Sequence, residues 1–513
     1  MQQLTALMLK AGITKVVVCP GSRNIPLVHN FVAVGMECYE VTDERSAGFF
    51  ALGLIEANGG EPVAVCCTSG SAVLNLAPAV SEAYYHPLPL LVITADRPLR
   101  WINQMDGQTM IQPEAFANYN RKTVTLPEDD QWLCNRLINE AFIEQKKTNG
   151  PVHIDVPINE PFFDFSAESL PNERLIEYIK PSSAIQLPQS LQSTWQKAQH
   201  PMLIVGQLSP EEIAEYGQEF ITLAKKGCTI LAEHLSNLHT LPEAYNYINF
   251  SFDEQLRING SIPQPDLIIT LGGHIVSKRI KQYLRAHQPQ THIQVSQLGE
   301  LADLFTCATT LIETDNKSFL IALNSISANF DNSLPNNDLP TEEHIINSIL
   351  PHIDKEWTIQ VANSTMVRTL IRHFRSTNPV FCNRGINGIE GSTSAAVGYW
   401  AGSHRPTLLL TGDLSFFYDQ NALWNNFVKN PQAPLRIFIL NNGCGDIFHH
   451  LPGLQTPALD QYISAHHTTT AQGIASQCHA TYLVAHNEEE LKNHLQSFMN
   501  KDNTVSILEY TNS

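Results

Sequence analysis

Three things are scarce in this chain of 513 residues: long apolar runs, paired cysteines and positive charge. No apolar stretch reaches the ~18 residues of a bilayer span, which excludes a helical membrane protein. The N-terminus, MQQLTALMLKAG, reads as an amphipathic helix running straight into a strand. It has neither the charged start nor the cleavage site of a signal peptide, so a cytoplasmic location is expected. Ten cysteines are present but no CxxC pair. Several of them (Cys19, Cys66, Cys67, Cys382) fall in apolar strand-like runs and read as structural. Lys and Arg number 32 against 50 Asp and Glu, a formal charge of −18. That disfavours nucleic acid and anionic membrane as partners. It also means that an anionic substrate must be met by a local cluster of Arg and Lys. Short-period repeats and low-complexity tracts are absent.

What is present has the balance of a globular enzyme, with 43% hydrophobic and 16% charged residues. The length allows two to four domains. Three α/β blocks can be read. The first, 1–165, has strand-like runs at Val16–Cys19, Val63–Cys67, Leu90–Thr94 and Val152–Val156, with helical patterns at Arg45–Asn58 and Ala72–Tyr85. The second, 185–335, has Met202–Val205, Thr229–Ala232, Leu267–Leu271 and Ile293–Val295. The third, 350–513, has Val380–Phe381, Thr407–Thr411, Leu435–Leu440 and Val505–Leu508. Segments 166–190 and 331–343, rich in Ser, Pro, Asn and charge, read as linkers. Strands alternating with helices predict three doubly wound parallel sheets.

In such sheets ligands bind beyond the carboxyl ends of the strands. Those ends carry Pro20-Gly21-Ser22-Arg23, Thr68-Ser69-Gly70-Ser71, Ala95-Asp96-Arg97-Pro98, Gly272-Gly273-His274, Asn383-Arg384-Gly385, Gly412-Asp413 and Asn441-Asn442. Gly, Ser and Arg recur, which suits anions. Thr411 to Phe448 is the most informative stretch. It reads as strand, acidic turn, helix, strand, amide turn, and a right-handed crossover opens both turns at one sheet edge. An Asp and an Asn then converge with glycine-freed backbone, a set of hard oxygen ligands suited to a metal-bound diphosphate.

GD followed by 28 residues and then the second Asn of NN is similar to the diphosphate-binding signature of thiamine-diphosphate enzymes, with GDLS in place of the usual GDG. PGSRN (20–24), TDERSAGFFALG (42–53), TSGSAVLNLAPAVSEA (68–83), ITADRP (93–98), SKR (277–279), NRGINGIEG (383–391) and NNGCGDIF (441–448) together resemble one subgroup. It is the 2-succinyl-5-enolpyruvyl-6-hydroxy-3-cyclohexene-1-carboxylate synthases of menaquinone biosynthesis. The resemblance spans nearly the whole chain.

The resemblance implies three α/β domains: pyrimidine-binding, central and diphosphate-binding. It implies thiamine diphosphate and Mg²⁺ or Mn²⁺, held between subunits of a homodimer or homotetramer. It implies decarboxylation of 2-oxoglutarate and addition of the four-carbon fragment to isochorismate. Asp413, Asn442 and the Cys444 carbonyl are then the metal ligands, and Gly412, Leu414 and Ser415 complete the diphosphate site. Ile389 props the cofactor in its bent form, and Glu44 is the catalytic acid at ring nitrogen N1′. Read on its own, Glu44 or Asp43 could equally be a helix-start carboxylate.

By the same resemblance Ser22, Arg23, Arg97, Gln108, Lys278 and Arg279 line the substrate pocket from one side. Ser364, Arg368, Arg384, Ile447 and Phe448 line it from the other. Arg binds carboxylates bidentately, and each substrate carries two of them. His449-His450 and His466-His467 read as surface or structural residues, since no carboxylate or Cys spacing supports a zinc site. Rival expectations are a simpler 2-oxo acid decarboxylase or acetolactate-type synthase, and a non-catalytic α/β nucleotide-binding protein.

Overall fold

The computed structural model describes residues 1–160, 163, 165, 169–180, 185–331, 334–341, 344–449, 451 and 453–511. Its strands form three parallel sheets of six. The first contains β1 (Lys15–Val18), β2 (Glu37–Glu40), β3 (Val63–Cys67), β4 (Leu90–Asp96), β5 (Lys122–Thr125) and β6 (Val152–Pro157), in the order β2-β1-β3-β4-β6-β5. The second contains β7 (Pro201–Val205), β8 (Thr229–Ala232), β9 (Ile248–Asn249), β10 (Leu267–Leu271), β11 (Thr291–Ser296) and β12 (Thr310–Glu313), in the order β12-β11-β10-β7-β8-β9. The third contains β13 (Thr358–Val361), β14 (Val380–Phe381), β15 (Thr407–Gly412), β16 (Leu435–Asn441), β17 (Thr481–Ala485) and β18 (Val505–Thr511). Within it β15, β16, β18 and β17 follow one another.

Every strand expected from an apolar run is present. Central strands such as β3 and β4 are buried along their whole length, which is why they read as unbroken apolar runs. The strands not anticipated are mostly sheet edges. β2, β12 and β17 expose much of their length and so carry no such run. β13 is fully buried but its run is broken by Thr358 and Gln360. Gln360 tolerates burial because its amide donates to Glu56 Oε2 at 3.3 Å. The helix expected over Ala72–Tyr85 is two, Ser71–Asn75 and Ala77–Tyr85. Pro78 has no N–H to continue the first helix and suits the first turn of the second. The linker stretches hold no helix or strand where they are described, apart from the start of helix Gln189–Lys197.

The chain folds into two compact units. One comprises Met1–Lys180, Gln360–Ser364 and Asn383–Ser513; the other comprises Pro181–Ile359 and Thr365–Cys382. The first and third blocks therefore share one unit, and one apolar core runs through both, from Val17 and Phe50 to Leu409 and Ile437. Helices Glu44–Ala57 and Ser392–Ser403 lie at its centre, buried on nearly all sides. Their backbones touch. A Cβ on Gly53 would lie 2.0 Å from the Ala395 carbonyl oxygen, and one on Gly398 would lie 2.1 Å from that of Phe50. The second unit has its own core around Trp195, Phe220, Leu203 and Ile269.

Gly398→Ala is expected to destabilise this unit by about 3 kcal/mol or more, because backbone cannot yield as a flexible side chain can. Gly473→Ala, with open space around its Cβ, is the control and stays within about 1 kcal/mol of the parent. Urea unfolding of the two variants compares them.

Candidate active site

The crossover read from Thr411 to Phe448 is present. β15 and β16 are parallel neighbours, with Gly412 opposite Leu440, so Asp413 and Asn442 emerge at one edge. Asp413 is buried and begins the short helix Asp413–Tyr418. Its Oδ1 accepts the Leu414 N–H at 2.6 Å and its Oδ2 the Gly443 N–H at 2.9 Å. Gly443 takes φ +71, a left-handed conformation that lets the loop double back.

The outer end of the Asn442 amide lies 3.1 Å from Asp413 Oδ2 and 2.7 Å from the Cys444 carbonyl oxygen. With oxygen at that end, three acceptors face one another; with the amide turned over, its nitrogen donates to both. Rotating that amide to present its oxygen beside those of Asp413 and Cys444 would give a donor set that fits a hard divalent cation. These are also the three groups expected to ligate one. Burial holds the Asp413 carboxyl above its ordinary range, a cost that a bound cation offsets.

Ser415 Oγ donates to the Ile389 carbonyl at 2.6 Å. The diphosphate segment and the expected cofactor prop are thus tied directly. Ile389 is 39% exposed, an apolar side chain left open where a cofactor ring could rest. Leu414 is half-buried beside them.

The helix-start ambiguity between Asp43 and Glu44 is settled. Asp43 is the N-cap and accepts from the Arg45 and Ser46 N–H groups, so capping does not require Glu44. Glu44 is half-buried, not enclosed as the apolar helix behind it implied, because it occupies the first helical position. Cys19 and Cys67, at the ends of β1 and β3, have thiols raised by burial first, then by neighbouring thiols and the Glu44 carboxylate.

The cations are only partly gathered. Arg23 is buried and donates to the Ile158 carbonyl at 3.1 Å and to Glu160 at 3.0 Å. Arg97 reaches Asp106 at 3.1 Å and the same Glu160 at 3.4 Å. Glu160 went unnoticed in the sequence, where it closes a run of turn residues. Arg97 Nε has no hydrogen-bond partner among the described residues. Ser22 is exposed beside Arg23. Gln108 adopts φ 59 and donates to the Ser69 carbonyl at 3.3 Å.

On the third block Arg384 is 8% exposed. Its Nη1 donates to Asn363 Oδ1 at 2.7 Å, while its Nε has no partner among the described residues. Ser364, next to Asn363, takes the uncommon φ of 69. Ile447 and Phe448 lie half-buried in a short 3₁₀ turn. Lys278, Arg279 and Arg368 belong to the other unit. Lys278 is exposed, and Arg279 pairs with Asp253 at 2.6 Å. Arg368 lies on helix Thr365–His373, as its plain helical context implied.

His449 and His466 are exposed, in keeping with their reading as surface residues. His467 Nε2 lies 3.4 Å from Asp413 Oδ2, against a predicted metal ligand. His449 and His466 both face Asp460, at 3.0 and 3.6 Å, and their ligand atoms lie within 4.8 Å of one another. Asp460 stands 11 residues from His449, so no short-range spacing shows the cluster. His450 lies outside the described residues.

Three family models match the chain. They are the thiamine pyrophosphate enzyme N-terminal TPP binding domain (residues 1–119), the middle domain of thiamine pyrophosphate (172–363), and the C-terminal TPP binding domain (360–509). A protein of Bacteroides thetaiotaomicron named 2-succinyl-5-enolpyruvyl-6-hydroxy-3-cyclohexene-1-carboxylate synthase is 44% identical, over 97% of this chain and 92% of its own length. The chain belongs to this synthase family of thiamine pyrophosphate enzymes. More distant members of the synthase family include those of Flavobacterium psychrophilum, 33% identical over 98% of this chain and 94% of theirs, and Desulfotalea psychrophila, 33% over 94% and 93%. The fold reaches further. Benzoylformate decarboxylase from Polynucleobacter necessarius superposes with a TM-score of 0.74 at 17% identity, covering 100% of this chain and 98% of that one. Membership brings thiamine diphosphate with a divalent metal as cofactors. The oxygens of Asp413, Asn442 and Cys444 match that metal's needs.

Among the described residues no helix is long and apolar enough to cross a membrane.

Two measurements probe the site. Asp413→Asn should weaken metal-dependent binding of thiamine diphosphate at least tenfold by calorimetry, with the circular dichroism spectrum unchanged. The second concerns buried Asp96 and Asp155, behind Arg97. Burial holds both carboxyls above their ordinary range, and the Asp155 charge adds to this for Asp96. Folded pKa values above unfolded ones mean that the native state keeps protons longer, so stability falls as pH rises from about 4 to 7. Asp155→Asn should flatten that decline in urea unfolding between pH 5 and pH 8.

Proposed function

We propose that the chain decarboxylates 2-oxoglutarate and adds the four-carbon unit to isochorismate, giving 2-succinyl-5-enolpyruvyl-6-hydroxy-3-cyclohexene-1-carboxylate and CO₂. The observation that carries the substrate assignment is the pair Arg97 and Arg384. Both stand at strand ends of an acidic protein, and both keep an inward Nε–H without a partner among the described residues. A buried guanidinium donor left open is costly unless a ligand acceptor completes it. Two dicarboxylate substrates supply such acceptors, and a bidentate carboxylate can span Nε and Nη.

Asp413, Asn442 and the Cys444 carbonyl hold the metal, and Gly412, Leu414 and Ser415 shape the loop around the diphosphate. Bound there, thiamine diphosphate supplies the nucleophilic carbon for the 2-oxo group and the electron sink for loss of CO₂. Glu44 holds a proton at ring nitrogen N1′, which makes the cofactor's amino group a base. Ile389 supports the bent cofactor. Ser22, Arg23, Arg97 and Gln108, with Lys278 and Arg279, bind substrate carboxylates from one side; Ser364, Arg368, Arg384, Ile447 and Phe448 close the other. We assign residues 1–165, 185–335 and 350–513 to the pyrimidine-binding, central and diphosphate-binding domains. The enzyme acts in the cytoplasm as a homodimer or homotetramer, Glu44 of one copy serving the metal site of another.

A coupled assay tests the reaction: 2-oxoglutarate consumption should depend on isochorismate. Turnover without isochorismate would identify a simple decarboxylase and sink the synthase assignment. Glu44→Gln should bind cofactor with unchanged affinity yet lose about 100-fold or more in kcat.

A further inference from the structure

Glu82 lies outside every role assigned above. It is 1% exposed, on helix Ala77–Tyr85 of the first block. A buried carboxylate is expensive to keep unless its geometry is needed. Here its two oxygens serve two donors on a single loop of the third block. Oε1 accepts the Gly385 N–H at 2.7 Å and Oε2 accepts the Ile386 N–H at 2.8 Å. These are the two residues that follow Arg384.

The loop is gripped from the other side by Asn363, whose amide donates to the Asn383 carbonyl at 2.7 Å and the Gly388 carbonyl at 2.8 Å. The approach of helix to loop is so close that a Cβ on Gly385 would lie 2.6 Å from the Glu82 carbonyl oxygen and 3.0 Å from its carboxylate. Only glycine fits. A carboxylate alone offers an acceptor at each end; glutamine and a protonated carboxyl each present hydrogen to one of the two N–H groups.

We propose that Glu82 is a positioning residue for substrate binding, its ionised carboxylate holding the 383–388 loop so that the open edge of Arg384 faces a substrate carboxylate. This rests on the reading of Arg384 as a substrate-binding residue.

The charged and titratable groups facing Glu82 are Arg384, Glu390 and His86, the last at 3.9 Å. Burial raises the Glu82 carboxyl to about 7, against the lowering effect of the two N–H groups and Arg384. The brace is therefore complete at alkaline pH and loses one acceptor as pH falls through neutrality.

The test uses the full-length holoenzyme. Glu82→Gln should raise KM for 2-oxoglutarate or isochorismate about tenfold, with kcat within threefold of wild type and calorimetric thiamine diphosphate affinity unchanged. Gly385→Ala, whose Cβ would drive the same loop away from Glu82, should raise KM for the same substrate. In the wild type that KM should rise at least threefold from pH 8 to pH 6, and in Glu82→Gln it should be flat. The wild-type pH series needs no variant to fold. An unchanged KM in Glu82→Gln, or a loss confined to melting temperature, overturns the proposal and leaves Glu82 a structural brace. Arg384→Ala separates the two assumptions. If it raises KM and Glu82→Gln does not, the positioning role fails; if Arg384→Ala leaves both KM values unchanged, the Arg384 reading fails.

Discussion

The contact on which the rest depends is the crossing of helices Glu44–Ala57 and Ser392–Ser403. Gly53 and Gly398 each place backbone against backbone, and Gly391 meets the ring of Phe49, with a notional Cβ 2.2 Å from the ring. Such proximity admits no side chain, so the two helices have one possible register. It turns the first and third blocks into a single folding unit with one core. The functional segments are the ends of these helices and the loops that lead into them. Glu44 opens the first helix, and the loop from Arg384 to Gly391 leads into the second. Asp419 caps that second helix from the diphosphate segment, accepting from the Ser394 N–H and hydroxyl, both at 2.7 Å. The crossing, the cap and the Ser415–Ile389 bond join the segments that carry Asp413, Ile389 and Arg384 within one unit.

Electrostatics is managed locally within an acidic protein. Arg23 and Arg97 share Glu160, and Arg279 pairs with Asp253, so these cations are held in place by carboxylates before any substrate arrives. Arg384 is held differently, by the neutral amide of Asn363. The nearby carboxylate of Glu82 feels the Arg384 charge but accepts its hydrogen bonds from backbone N–H groups. Buried carboxylates recur behind the site at Glu82, Asp96, Asp155 and Asp419, each raised first by burial. Each accepts hydrogen bonds from backbone or side-chain donors.

Much of this was legible in the residues. Central parallel strands are apolar on both faces, so β3, β4, β15 and β16 announce themselves. Their glycine-rich ends mark where ligands bind, and the Asp413–Asn442 pair follows from the crossover alone. Edge strands such as β2 and β12 were hidden because half-exposed strands carry mixed side chains. Glu82 and Glu160 were hidden for another reason: each acts on residues far away in the chain.

The family and the three sheets were readable along the chain. These depend on local periodicity and on motifs whose members lie within one strand–helix–strand unit. The tertiary structure added that the first and third blocks share one unit, that Asp43 and not Glu44 caps the helix, and that buried Glu82 accepts from the loop after Arg384. Those outcomes depend on backbone approach and hydrogen-bond geometry between distant segments, 304 residues apart for Glu82 and Ile386. No pattern along the chain encodes a distance of that kind.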